Sequence, residues 1–156
     1  PTELLDIVKE KKSEPFRLLV AKMLRQTADS LMNVRKNPYL VIMGDFNDYP
    51  SDKSLRKVLC GKGDLINLMK GLDGGTYRYR GEWGIFDQFV VSASMYRNLE
   101  KVQIVRHPFL LEEDDRYGGD KPFRTYNGLR YHGGFSDHLP IVSDFLIRGG
   151  TDCCSE

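Results

Sequence analysis

Tyr39-Leu40-Val41-Ile42-Met43-Gly44-Asp45-Phe46-Asn47 is the stretch on which the fold turns. It starts as a short, unalternating apolar run, partly β-branched, of the kind that forms a strand buried on both faces. It ends in Gly, Asp and Asn, which continue through Pro50, Ser51 and Asp52 as a loop. Upstream, Ser13-Glu14-Pro15 supplies a hydroxyl cap and an early proline. Phe16, Leu19, Val20, Met23, Leu24, Thr27 and Leu31 then recur at helical spacing, predicting an amphipathic helix over 14–34 that Asn37-Pro38 stops. A helix followed by a buried strand implies α/β or α+β layering.

Downstream, Ser54 to Leu59 reads as a short helix, and Leu65 to Met69 is apolar but ambiguous between helix and strand. Thr76 to Arg80 alternates aromatic with basic residues, so a strand there puts Tyr77 and Tyr79 on one face and Arg78 and Arg80 on the other. Phe86 to Ser92 predicts a strand, Val102 to Val105 a weaker one, and Leu139 to Ile147 the last. Between them Leu111 to Gly134 reads as a long surface excursion with Thr125-Tyr126 as its only strand-like core.

The chain has 156 residues, room for one domain with a core. Its 23 basic and 22 acidic side chains leave a net charge of +1, so no global field holds nucleic acid. No apolar run approaches the roughly 18 residues of a membrane span, and the N-terminus carries no targeting segment, so a soluble domain of undetermined compartment is expected. Cys60, Cys153 and Cys154 supply neither a disulfide framework nor zinc spacing. Residues 150–156 read as a flexible tail.

Three sites at strand ends hold chemistry. Asp45 and Asn47 are common turn formers, and alone the turn is the simpler reading; at the carboxyl end of a buried strand, a carboxylate and a carboxamide two residues apart also suit holding a hydrolytic water and a phosphoryl oxygen. Asp87, set among Phe86, Phe89, Val90 and Val91, faces either solvent or the interior, where it would need a partner. A lone loop His is usually a surface residue. In Ser136-Asp137-His138-Leu139-Pro140 the adjacent carboxylate can take a hard cation while the imidazole donates to a phosphate oxygen. If Asp87 accepts from His138, both residues are explained together.

Ile42-Met43-Gly44-Asp45-Phe46-Asn47, Phe86-Asp87-Gln88-Phe89-Val90-Val91-Ser92 and Gly134-Phe135-Ser136-Asp137-His138-Leu139-Pro140-Ile141, in this order, resemble the C-terminal half of the endonuclease/exonuclease/phosphatase superfamily, the DNase I-like phosphoesterases. The likeness extends to the helix bearing Arg17 and to Gly74-Gly75-Thr76-Tyr77. It implies a two-sheet α/β sandwich with covering helices, of which residues 1–149 are the C-terminal portion. It also implies hydrolysis of phosphodiester or phosphomonoester bonds, with nucleic acid, phospholipid head groups or sugar phosphates as substrates and Mg²⁺, or Mn²⁺, as cofactor.

Position by position, the resemblance implies that Asp45 orients the water and touches the metal, and that Asn47 holds the water and the phosphoryl oxygens. Asp137 would ligate the metal, His138 would contact the scissile phosphate and Asp87 would orient His138. Apart from the resemblance, Tyr77 and Trp83 are candidate substrate contacts on an aromatic, basic rim with Arg78, Tyr79 and Arg80, or else these residues are simply the core and surface of one strand. The family's other metal carboxylate, a Glu, and a further His or Tyr come from an N-terminal half that does not precede Ser13 here, and Ile85 stands where many nucleases of the family have arginine. Glu3 and Glu10, in a polar, helical-looking segment, are assigned to no metal. A fragment is therefore expected to pack on that half or to self-associate, and to be weakly active or inactive alone. The alternative is a non-catalytic interaction module that keeps the motifs as relics.

Overall fold

The structure is a computed structural model that describes residues 13–147. The expected tail, Cys153-Cys154 and the Glu3 and Glu10 segment lie outside the described residues.

Helix α1 runs from Glu14 to Val34, with Pro15 in the first turn where its missing N–H costs nothing. It ends before Asn37, whose φ of 55° is left-handed. One face of α1, including Leu24, Ala28 and Met32, packs with Leu55, Leu59, Leu65 and Val90. On this face Arg25 is buried, and its guanidinium donates to Asp64 (2.7 and 2.8 Å), to Asp29 and to the Leu59 carbonyl (3.1 Å).

Beneath α1 lies an antiparallel sheet ordered β1 (Val41–Asp45), β5 (Asp87–Ser92) and β2 (Leu65–Asn67). The strand expected to be buried on both faces, β1, is instead the edge: Met43 is 67% exposed. The central strand is β5, where Gln88 to Ser92 are all buried. Phe89 and Val91 of β5 build a second cluster with Leu68, Met69, Ile85 and Met95. Leu99, Val102, Ile104, Ile141 and Phe145 close it, from the antiparallel pair β6 (Leu99–Ile104) and β11 (Ile141–Phe145). Helix, sheet and second sheet form the layers of the α/β fold, and helix α2 (Ala93–Tyr96) links β5 to β6.

Strands β3 (Tyr77–Tyr79) and β4 (Glu82–Gly84) form a tight hairpin. Arg80 sits in its turn rather than on the strand: Arg80 and Gly81 both have positive φ (51° and 89°), as a two-residue hairpin turn requires. The excursion is more ordered than its composition suggests. It folds as two short hairpins, β7 (Leu111–Glu113) with β8 (Asp120–Pro122) and β9 (Tyr126–Asn127) with β10 (Arg130–Tyr131).

Candidate active site

Antiparallel pairing places Asp45, the last residue of β1, opposite Asp87, the first of β5. Past the ladder, the Phe46 N–H donates to the Phe86 carbonyl (2.9 Å), which holds the two strand ends together. The loop after β1 folds back on its own carboxylate: the Asn47 N–H and Nδ2 donate to Asp45 at 2.8 and 3.1 Å. Asn47 adopts φ 49°, a left-handed conformation that asparagine tolerates better than most residues.

His138 arrives from the other end of the sequence. It forms a single antiparallel bridge with Tyr77, and the Leu139 N–H donates to the Thr76 carbonyl (2.7 Å). The Tyr77 ring lies 4.8 Å from the imidazole, centroid to centroid. Nδ1 of His138 then meets a carboxylate oxygen of Asp87 at 2.6 Å, both side chains being largely shielded from solvent. The His138 N–H is held by the Ser136 hydroxyl at 3.1 Å.

Asp45, Asn47, Asp137 and His138 line one cleft of about 880 Å³ together with Arg17, Tyr77 and Tyr79, and Asp87 backs it through His138. One ligand atom each from Asp45, Asp87 and His138 falls within 4.8 Å of the others. Asp137, exposed, lines the same cleft without being part of that close group. Trp83 lies apart: it lines a neighbouring apolar cavity of about 620 Å³ with Tyr49 and Ile85, and the Arg106 guanidinium covers its ring at 4.4 Å.

Three supporting residues escaped the sequence reading. Thr76, fully buried, accepts from the Phe86 and Asp87 N–H groups (3.2 and 3.3 Å) through its hydroxyl. Gln88, also fully buried, donates to the Asp48 and Ile85 carbonyls (both 2.9 Å) and accepts from Asn67, so it ties the loop after β1 to the central strand. Asp48 is buried too; it accepts from Arg17 at 2.7 Å and from the Ser54 hydroxyl at 2.5 Å. Burial pushes the Asp48 carboxyl up, against the opposing hydrogen bond of Ser54 and the charge of Arg17. Gln88 lies in a strand whose run Phe89-Val90-Val91 signals burial on both faces, but a carboxylate inside a turn-rich segment, as at Asp48, gives no signal of burial.

The model of the Endonuclease/Exonuclease/phosphatase family matches residues 7–146. The chain belongs to the Endonuclease/Exonuclease/phosphatase family. Among solved structures, an endonuclease/exonuclease/phosphatase family protein from Bacteroides thetaiotaomicron is similar to it, with a TM-score of 0.52 at 18% identity. The likeness covers 80% of this chain and 41% of that one, so this chain spans less than half the length of its structural neighbour. At that identity the neighbour supports the family fold and nothing finer. Among curated proteins none matches the chain.

Proposed function

We propose that the chain carries the acid, amide and histidine part of the active site of a metal-dependent hydrolase acting on phosphodiester or phosphomonoester bonds. The observation that carries this reading is the 2.6 Å contact of Asp87 with His138, on the wall of the cleft that also holds Asp45, Asn47 and Asp137. Residues 51 positions apart meet there, and a merely structural turn at Asp45 or a merely exposed His138 would not require it.

A donor set of carboxylate oxygens suits a hard cation that keeps several waters, and two such carboxylates on one cleft are what Mg²⁺ commonly takes from a protein. Asp137 and Asp45 would hold Mg²⁺, or Mn²⁺, which when bound supplies charge neutralisation at the phosphoryl oxygens. The protein's own part is positioning and proton traffic. Asp45, whose carboxylate is fixed by Asn47, orients the attacking water and takes up its proton. Asn47 keeps a second Nδ2–H for a phosphoryl oxygen. With both ring nitrogens protonated, His138 donates from Nδ1 to Asp87 and from Nε2 to the phosphoryl oxygen on which charge builds. Tyr77, against the imidazole, offers a ring face to the substrate. Trp83 faces the neighbouring cavity and takes no part in this reading.

The same reading includes a covering partner. Phe16, Val20 and Met23 of α1 and Met43 of the edge strand are exposed together, which suits packing against an N-terminal half of the domain or a second copy. The chain alone is then expected to hydrolyse phosphoesters weakly.

The test is hydrolysis of bis(4-nitrophenyl) phosphate by the chain paired with such a half, with saturating Mg²⁺. His138→Ala should lower the rate by roughly 10²–10⁴-fold, and Asp137→Asn should raise the Mg²⁺ concentration required. Unaltered rates in both variants would sink the reading; loss of partner binding without loss of rate would favour the interaction module.

A further inference from the structure

The apolar cavity of about 620 Å³ that Trp83 lines has no role in the hydrolase reading, and its size is that of a small-molecule pocket. Its floor reaches the seam between the two core clusters. Leu55 and Leu65 belong to the cluster under α1, Met69 and Ile85 to the one closed by β6 and β11. Packed interiors hold few voids larger than a water molecule, so a space of this size against core side chains is unusual unless it takes a ligand. Water suits it poorly, because an ordered water needs several polar partners that aliphatic walls do not offer.

The walls are fixed before any ligand arrives. Asn67 accepts from the Met69 N–H and donates to Gln88, both at 2.9 Å, which sets the path of the chain out of β2. Gly75 lies so close to β4 that a Cβ there would come within 2.8 Å of the Trp83 Cβ, and the Arg106 guanidinium covers the indole at 4.4 Å. Cys60 lines the cavity, and burial pushes its thiol up to about 11, so it stays a neutral, apolar part of the wall. A preformed site of this kind loses little binding energy to ordering.

The charge at the cavity has one sign. Arg56 and Lys70, both exposed, line it, and among the described residues no carboxylate does. Arg56 donates from Nε to the Ser51 carbonyl (3.2 Å), which leaves its terminal N–H groups to another acceptor. The described lysines that pair with carboxylates are Lys53, Lys62 and Lys121, and Lys70 is not one of them. An aliphatic floor beneath two cations that lack an acidic partner matches a ligand with an apolar body and an anionic head.

We propose that this cavity is a binding site for a small apolar carboxylate, whose aliphatic chain lies against Leu55, Leu65, Met69 and Ile85 and whose carboxylate meets Arg56 and Lys70. The assignment is independent of the hydrolase reading. It uses neither His138 nor a metal.

The test is a titration of the chain with decanoate, below its micelle concentration and without metal, following the emission of Trp83, the chain's one tryptophan. A saturable change in emission is expected. Decanol, with the same aliphatic chain and no charge, should bind about tenfold more weakly, as the loss of a charge-assisted hydrogen bond predicts. The double variant Arg56→Gln, Lys70→Gln should weaken decanoate by about tenfold or more and leave decanol unchanged. Both positions are exposed, so its melting temperature should match that of the parent. A second readout locates the ligand: in a Cys153→Ser, Cys154→Ser chain, saturating decanoate should slow the alkylation of Cys60 by N-ethylmaleimide. Adhesion to the exposed face of α1 would neither protect Cys60 nor depend on Arg56 and Lys70. The site is overturned by an unresponsive Trp83, by an unprotected Cys60, by decanol binding as tightly as decanoate, or by decanoate binding that the double variant leaves intact.

Discussion

Thr76 has no exposed surface, and both of its oxygens serve the site. The hydroxyl accepts from the amides of Phe86 and Asp87, and the carbonyl accepts from Leu139, so one residue holds the carboxylate and the imidazole segments in register. Thr76→Val keeps the shape and removes the acceptor, leaving part-buried N–H groups unpaired. Urea unfolding should show a loss of about 1–3 kcal/mol, with Thr76→Ser recovering most of it. Equal stability of the Val and Ser variants would show that the hydroxyl is not the anchor. A glycine nearby is fixed as firmly: a Cβ on Gly84 would come within 2.9 Å of the Tyr49 hydroxyl and 3.1 Å of the Phe86 ring, so a side chain there would push into the wall of the cleft.

The elements were legible where their periodicity was long. Helix α1 sustains its apolar repeat over 21 residues, and β5 is a run of apolar residues around one amide, so both were readable from spacing. The identity of the edge strand was not, because an apolar strand at the edge and one at the centre have the same composition, and only the pairing order β1-β5-β2 separates them. The hairpins of the excursion were hidden for another reason: strands of two or three residues are too short to show alternation. The candidate residues Asp45, Asn47, Asp87, Asp137 and His138 stood out as motifs, and the fold gathers them at one cleft, whereas Thr76, Gln88 and Asp48 act through contacts across the fold that no local pattern records.

At the same scale, α1 is locked to the β2 end of the sheet by Arg25. The Arg25 and Lys62 side chains hold the Asp29 carboxyl down at about 2, and Arg25 holds Asp64 below the usual carboxylate range. Folded-state values below the unfolded ones mean that this stability is present above about pH 4 and is lost as pH falls toward 2. Asp48 has the opposite sign, because its carboxyl is raised by burial; its share is present at low pH and is lost as pH rises. Arg25→Met should cost about 1–3 kcal/mol at pH 7 and flatten the fall in melting temperature between about pH 4 and 2. An acid profile identical to that of the parent would show that the network contributes nothing to acid stability.

Across the whole molecule, two apolar surfaces of α1 serve different ends. One closes the core over β5. The other, with Phe16 55%, Val20 54% and Met23 59% exposed, stands beside Met43 on the edge of β1 that no strand pairs among the described residues, and a groove of about 250 Å³ runs between helix and strand. A free strand edge offers a row of unpaired backbone groups, and apolar side chains on both sides of it add a hydrophobic reason to cover them. Charged side chains that would blunt the edge are few: Asp45 is the only one on β1, and it is turned to the cleft. The isolated chain should therefore self-associate, and sedimentation velocity over a concentration series should show a weight-average mass above that of the 17.9 kDa monomer. Val20→Glu combined with Met43→Glu places two carboxylates in the groove, where pairing would desolvate them, so the double variant should sediment as a monomer. Both positions are exposed, so its melting temperature should stay within a few degrees of the parent. A parent chain that remains monomeric at every concentration would show that this face does not drive association, whatever its apolar character.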